Sequence, residues 1–577
     1  MLKSKIFRII SVITLSGIIL STIVYNSSQN TFPATVPTQA PRSPSITSTP
    51  LLPLDISMRL GTASAMQENK QNAQAAAEYD QIIRLHPKSA SIFYAQGNNF
   101  AQMAQFLQAI QAYDQAILID PGQTDYYLAR SQAYLSISQP VHAIENINHV
   151  IQISPQNPSA FFNRGQVYLN EKSFDQALKD FNQTISLAPQ NPSPYLSRGQ
   201  LFTDQKSYDL ALVDFNKVIE LAPSNPAGYI DRAGLYDILN KNQEAAGDYT
   251  HAISLSNDQY PLLYLNRGLV YIRLNSIDLA FKDFEKVMDL KPQGYERAYL
   301  LHGDLNVQKG EYQKALEDLN EAIRLGVDAY YDRGIANASL KNNDASISDF
   351  SEAIKHNSDN ANAYYNRGTI YNNLQKFDLA VNDFDQYIHL NPNNANAFNN
   401  RGLAYQNLKD TPHALQDYQQ SILLDPNYLL AYLNRAALYT GQNEIDKAIS
   451  DYNKAITIDP KTVEAYYNLG IIYYKIQKFD AALPNFDKVI ELAPSPDSYN
   501  LRAVNYIKLN NKKAAMDDLD KAVQLFSDQP SPYYNRGVIL TYLGEKVKAR
   551  IDFQTTLTLN PDNQLKMDTE SWIKKLN

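Results

Sequence analysis

The sequence predicts an all-α protein, an α-solenoid of about fifteen helix-turn-helix units, and three observations carry that expectation. A pattern of sizes and charges recurs at a spacing close to 34 residues along nearly the whole chain of 577. Within each copy, two runs place their landmark residues at i, i+3, i+4 and i+7, the spacing of a helix with one packed face. Proline recurs at the end of the second run, where it stops a helix because it lacks the backbone donor and clashes with the preceding turn. One such hairpin cannot bury both its faces alone, so it must stack on its neighbours.

The stretch Pro158 to Gln190, PSAFFNRGQVYLNEKSFDQALKDFNQTISLAPQ, shows the pattern most fully. With Pro158 as position 1, the first helix carries an aromatic at 4 (Phe161), Arg at 7 (Arg164), Gly at 8 (Gly165) and Tyr at 11 (Tyr168). The second carries Ala at 20 (Ala177), Phe at 24 (Phe181) and Thr at 27 (Thr184), before Pro at 32 (Pro189). A polar turn, Asn170 to Ser173, separates them. Small residues at 8 and 20 let the helices approach closely, and the bulky residues at 4, 11 and 24 fill the space around that contact.

These landmarks resemble the tetratricopeptide repeat, whose pattern asks for a large aromatic at 4, Leu at 7, Gly or Ala at 8, Tyr at 11, Ala at 20, an aromatic at 24, Ala at 27 and Pro at 32. Position 8 reads Ala63, Gly97, Ser131, Gly165, Gly199, Ala233, Gly268, Gly303, Gly334, Gly368, Gly402, Ala436, Gly470, Ala503 and Gly537, so the resemblance covers about residues 56–563. It implies a right-handed superhelix whose concave groove, lined by first helices, receives extended peptides or partner helices. The first unit departs most, with Arg59 at 4 and Met66 at 11, and is either a worn cap or not a full repeat.

In chain order, residues 1–25 read as a signal anchor or transmembrane helix, because Lys3, Lys5 and Arg8 precede an uncharged run from Ile9 to Tyr25. That run reaches about 25 Å as a helix, and counting back to Ile6 with Arg8 snorkelling closes the gap to a hydrocarbon core near 30 Å. No small-x-small cleavage site follows, which favours an uncleaved anchor over a removed secretory signal. The basic end then lies in the cytoplasm and the repeats on the far side, in the periplasm or outside the cell; secretion after cleavage is the alternative. Residues 26–55 are rich in Pro, Ser and Thr and read as a disordered tether, reaching at most roughly 90 Å as polyproline.

The repeats divide into arrays at 56–326 and 327–563, because spacing shortens to 31 between Gly303 and Gly334. There Gly326 replaces the usual Pro and is expected to cap its helix in the left-handed conformation, with a local change in superhelix geometry. Residues 564–577 place Leu565, Trp572 and Leu576 on one face, with Lys574 and Lys575 at the end, as in a capping helix.

Composition agrees with an array. Many of the 40 Tyr fall at repeat positions 4, 5, 11 and 24, where they serve packing. A formal charge of −8 argues against a nucleic-acid partner, which would require a basic stripe. With no Cys, disulfides, thiolate zinc sites and a lipidated-cysteine anchor are excluded.

Position 7, Leu in the family, is Arg in eleven units here, and position 23 is Asp in eleven. Leu469 goes with Asn485 and Gln96 with Ala112, so Arg and Asp largely come and go together. Structural ion pairs are therefore expected at Arg164 and Asp180, Arg198 and Asp214, Arg367 and Asp383, Arg401 and Asp417, and Arg435 and Asp451.

The opposite stripe of the first helix, at positions 2, 6, 9 and 13, is the one the resemblance places in the groove. Position 6 reads Asp332, Asn366, Asn400, Asn434 and Asn468 in consecutive units, and Asn373 and Asn407 add position 13. A ladder of amides satisfies the backbone of an extended chain without demanding one sequence. It is similar to the asparagine ladder of O-linked N-acetylglucosamine transferase, at position 6 only. The carboxylate clamp of some family members needs Lys at position 5, where this chain has Phe162, Leu433 and Tyr467.

Catalytic signals are absent from the sequence. The eight His are scattered, with no HExxH, and no Gly-rich phosphate loop or GxSxG elbow occurs. Neither a cofactor nor a metal is expected. The reading is a non-catalytic, membrane-tethered scaffold that binds proteins or extended peptides. The alternatives are a recruiting or regulatory subunit of an envelope enzyme complex, such as a glycosyltransferase or a secretion or assembly machine, and a self-associating architectural protein.

Overall fold

The structure, a computed structural model, describes residues 54–576. The anchor expected at 1–25 and the tether up to residue 53 lie outside the described residues. Among the described residues the chain forms 31 helices and no strand, as fifteen hairpins followed by a single helix, Asn563–Leu576. The hairpins fall into two compact units, one ending at Ala298 and one starting at Tyr299. The 326/327 division suggested by the spacing lies inside the second unit.

The hairpin Pro158–Asn170 with Phe174–Leu187 shows how the repeat is made. Asn157 caps the first helix by accepting from the backbone N–H groups of Ser159 and Ala160, and Pro158 sits in the first turn, where its missing donor costs nothing. The turn then closes through Lys172, at φ 56°. The Ser173 N–H donates to the Tyr168 carbonyl at 2.8 Å and the Lys172 N–H to that of Leu169 at 3.0 Å. The corresponding turn residue has positive φ in all fifteen hairpins, from Lys70 to Gly544, although only two of them are glycine. Gly326, which ends the helix Tyr312–Arg324 instead of a proline, takes the same left-handed form at φ 90°, with Val327 donating to Ala322 at 2.9 Å.

Packing between the two helices explains the small residue at 8. A Cβ built on Gly165 would lie 2.8 Å from Cε1 of Phe181, and one on Gly334 would lie 2.7 Å from Cε1 of Phe350. The ring at 24 lies directly on the first helix, and each such ring is fully buried, contributing about 2 kcal/mol or more. The first hairpin, Leu54–Glu68 with Asn72–Leu85, is a complete one. Ala63, Ala75, Tyr79 and Ile82 form its core, and Arg59, out of pattern at position 4, bonds Glu78 at 2.6 Å.

Within each unit, successive first helices touch one another, as Pro158–Asn170, Ser193–Asp204 and Pro226–Ile238 do, while successive second helices have no comparable approach. The stack is therefore tighter along the first helices, and their free side is the inner, concave one. At the end of the chain, Trp572 of the closing helix stacks on Phe553 at 6.3 Å and meets Tyr542 edge-on at 5.8 Å, and Leu576 is buried against the last hairpin. That helix covers an apolar face the final repeat would otherwise expose.

Two glycines test this packing. Gly165→Leu is expected to lower the melting temperature by circular dichroism, with a local cost of about 2 kcal/mol from overpacking against Phe181. Gly247→Ala, exposed in the helix Asn242–Ser256 with nothing within 4 Å of the added Cβ, is expected to raise it, by about 0.5–1 kcal/mol.

Candidate partner-binding groove

The inner face is held in place by the arginines at position 7. Arg164 Nε and Nη2 donate to the two carboxylate oxygens of Asp180 at 2.8 and 2.7 Å. Arg198 on Asp214, Arg367 on Asp383, Arg401 on Asp417 and Arg435 on Asp451 repeat the fork, at 2.7 to 2.9 Å. The third nitrogen reaches position 25 of the preceding hairpin: Nη1 of Arg164 donates to Asn148 at 2.6 Å, of Arg367 to Ser351 at 2.7 Å, and of Arg401 to Asp385 at 2.6 Å. Each guanidinium also lies between the rings at positions 4 and 11, 5.5 Å from Phe398 and 5.9 Å from Tyr405 for Arg401. One side chain thus closes its own hairpin and ties it to the one before. Burial opposes the charge on Arg401, but its bonds to Asp417 and Asp385 outweigh that and hold its pKa above the ordinary arginine value.

The exceptions follow the same geometry. Gln96, with no Asp at position 23, keeps only the link backwards, to Asp80 at 2.6 Å. In the hairpin with Leu469, Asn485 turns to the Ala481 carbonyl of its own helix. His302 stands in for Arg and meets Asp318 at 2.8 Å.

Across the same helices, Asp332, Asn366, Asn400, Asn434 and Asn468 form a half-buried inner row in the second unit, while Asn373 and Asn407 are exposed. The row is partly occupied with its own structure. Asn366 Nδ2 donates to the Tyr331 hydroxyl at 3.3 Å, Asn400 to that of Tyr365 at 3.0 Å, and Asn434 to the side-chain oxygen of Asn399 at 2.9 Å. Amide N–H groups that the spacing offered to a ligand therefore bond position 5 of the preceding hairpin. Asn407 donates to the Leu403 carbonyl at 2.8 Å, and the side-chain oxygens of Asn366 and Asn434 receive no donor among the described residues.

Two further positions meet where hairpins stack. Position 9 of one hairpin faces position 6 of the next: Gln166 Nε2 donates to Ser197 Oγ at 2.5 Å, and Gln200 Nε2 to Asp231 Oδ2 at 2.7 Å. At the step from the hairpin of Gly303 to that of Gly334 these two positions are Asp304 and Asp332. Asp304 accepts from Gln308 on its own helix at 2.9 Å, and Asp328, four residues before Asp332, pairs with His356 at 3.1 Å. Asp332 has no hydrogen-bond donor or cation among the described residues. Burial pushes both carboxyls up, Asp304 to about 6 and Asp332 to about 8, the latter raised further by the charges of Asp304 and Asp328. Asp304 was invisible as a site residue in the sequence, because its partner is decided by the stacking register.

Arg401→Ala is expected to cost roughly 3 kcal/mol, since it leaves the Asp417 carboxylate buried without its partner. Arg401→Lys recovers only part, because an ammonium cannot reproduce the fork, and the melting temperatures of the two variants check this. Asp332 has the opposite sign. Its folded pKa lies above the unfolded value, so its contribution to stability falls as pH rises from about 4 to about 8. Asp332→Asn is therefore expected to melt a few degrees above the parent at pH 8.5 and level with it at pH 4.

Comparison with known proteins agrees with the geometry. Family models described as tetratricopeptide repeat match residues 58–89, 158–191, 192–225, 262–293, 300–361, 361–394, 395–428, 463–496 and 496–529, and one described as TPR repeat matches 438–477. A search of curated protein sequences finds no match. Among solved structures, MamA is similar at 25% identity, over 28% of this chain and 93% of that one, with a TM-score of 0.27. The C-terminal part of a TPR repeat-containing protein from Cytophaga hutchinsonii is 21% identical over 41% and 98%, with a TM-score of 0.37. A tetratricopeptide repeat protein from Parabacteroides merdae is 21% identical over 43% and 97%, at 0.33. Models of this repeat together match more than half of the sequence, most of them in register with the hairpins, and the chain belongs to the tetratricopeptide repeat family.

Proposed function

We propose that the protein is a non-catalytic scaffold, held at a membrane by its first segment, that binds a protein partner as an extended or helical segment along the inner faces of its first helices. The observation that carries this reading is the unbroken polar row from Asp332 to Asn468. Five successive hairpins present a half-buried polar side chain at the same place, and stacking brings those places into line. An extended chain or a helix laid along such a row meets a hydrogen-bonding group at every repeat. The tether rests on sequence: Lys3, Lys5 and Arg8 before the run Ile9 to Tyr25 orient the repeats away from the cytoplasm. No helix among the described residues is itself long and apolar enough to cross a membrane.

The test uses the full chain in its own cells, with a photo-crosslinking residue at Asn373 or Asn407 on the inner face, or at Leu379 or Leu423 on second helices. Adducts are expected in the membrane fraction from the two inner positions and not from the outer two, and they disappear when the other inner asparagine is replaced by Tyr. Adducts spread evenly over both faces overturn the groove, and a chain released by washing the membranes at high pH overturns the anchor.

A further inference from the structure

The stretch of inner face between Leu301 and Gly441 has a one-sided chemistry. From Leu301 to Gly441, positions 2, 6, 9 and 13 hold three carboxylates, Asp304, Asp328 and Asp332, and no Lys or Arg; Arg297, at position 2 of the hairpin that carries Asp304, lies two helical turns before it. Elsewhere within the stack, carboxylates at position 23 are met by an arginine fork, as Asp383 and Asp417 are. Asp304 and Asp332 instead stand at two positions that, four and three stacking steps earlier in the array, bring a donor to an acceptor at 2.5 and 2.7 Å. Here two carboxyl groups take the places of donor and acceptor, and Asp332 receives no hydrogen bond and meets no cation among the described residues.

The asparagine row points the same way, independently of the acids. Because Asn366 and Asn434 each give one amide N–H to the preceding hairpin, what they have left is the second N–H and a side-chain oxygen that accepts from no donor among the described residues. This inner face thus offers open acceptors along its length and is acidic at the end that holds Asp304 and Asp332, where the charge of Asp304 raises the pKa of Asp332.

We propose that the second unit's inner face takes an extended protein segment carrying an arginine or lysine, whose cationic head sits between Asp304 and Asp332 while neighbouring backbone N–H groups bond the side-chain oxygens of Asn366 and Asn434. This rests on the groove reading and adds the chemistry of the occupant. An arginine fits best, since its five donors in a rigid fork can engage two carboxylates at once. It also relieves a cost the free protein carries, because burial and mutual repulsion disfavour ionising both acids. A metal ion fits less well: among the described residues no group of three or more His, Cys, Asp or Glu side chains converges as a metal site. A net charge of −8 favours encounter with a basic segment but does not select this place, so the test must separate the two.

The probe is a fluorescein-labelled dodecapeptide of Gly and Ser with three spaced arginines, and its counterpart with citrulline in their place, titrated with the full chain and read by fluorescence anisotropy. Binding of the arginine peptide is expected to weaken at least about tenfold in the double variant Asp304→Asn with Asp332→Asn, and by a similar factor on changing to citrulline. Asp378→Asn with Asp446→Asn removes the same charge from exposed second-helix positions and is expected to change it less than about twofold. Melting curves confirm that both variants fold. Equal loss in the two double variants, equal binding of the two peptides, or no binding of the arginine peptide overturns the proposal. If inner-face crosslinks persist while the acid pair proves indifferent, only this inference fails; if the crosslinks also leave the inner face, the groove reading falls with it.

Discussion

The stack depends on a guanidinium that has more donors than its own hairpin can use. Two nitrogens of Arg401 satisfy Asp417, which closes the hairpin, and the third is left pointing at Asp385 of the hairpin before. A leucine, which the family pattern has at this place, would bury area but fix no direction. The fork instead sets both the angle between the two helices and the step to the next pair, and aromatic rings at positions 4 and 11 enclose it on both sides. Buried ion pairs contribute little net stability when compared with a well-packed apolar alternative. Their effect here is geometric: a guanidinium repeated in successive hairpins makes the spacing of first helices nearly constant.

That constancy is what turns isolated polar residues into a row. The same helix carries Arg401 on its packed side and Asn400 on its inner side, so whatever fixes one positions the other. The bonds from Asn366 to Tyr331 and from Asn400 to Tyr365 add a second tie between hairpins, nearer the inner surface. The groove side chains are therefore held partly by their own hydrogen bonds before any partner arrives. Such preorganisation lowers the ordering cost of binding, and it also spends part of the row's donor capacity while leaving the side-chain oxygens of Asn366 and Asn434 open.

Much of this was legible in the sequence, where a feature had one chemical solution. Only a small residue fits beneath the ring at position 24, so Gly165 and Phe181 advertise their contact, and a turn residue at positive φ explains Gly326. The joint appearance of Arg and Asp was legible because an unmatched charge in the stack is costly. The link to position 25 was not, because Asn148, Ser351 and Asp385 all accept from an N–H equally well and so leave no repeating letter. Arg59 looked like a worn first unit because the pattern has an aromatic there, yet Glu78 across the hairpin accommodates it. The direction of the asparagine amides depends on which neighbour reaches them, and position 5 holds Tyr in some hairpins and Asn or Leu in others.

The acids make the same point from the other side. Twenty-eight residues separate Asp304 from Asp332, and nothing in that interval connects them except the shortened exit at Gly326. In a repeat array the partner of a groove residue is found one hairpin along, at a position set by stacking and not by the helical period. A scan for paired carboxylates within one helix passes over such a pair, while a scan aligned on the repeat, comparing position 9 of each unit with position 6 of the next, separates Gln166 with Ser197 and Gln200 with Asp231 from Asp304 with Asp332 at once. The array thus serves as its own reference: where two units satisfy a contact with a donor and an acceptor and a third brings two carboxyl groups to the same positions, the third is the place where stacking leaves a polar contact unmade and raises the pKa of both acids.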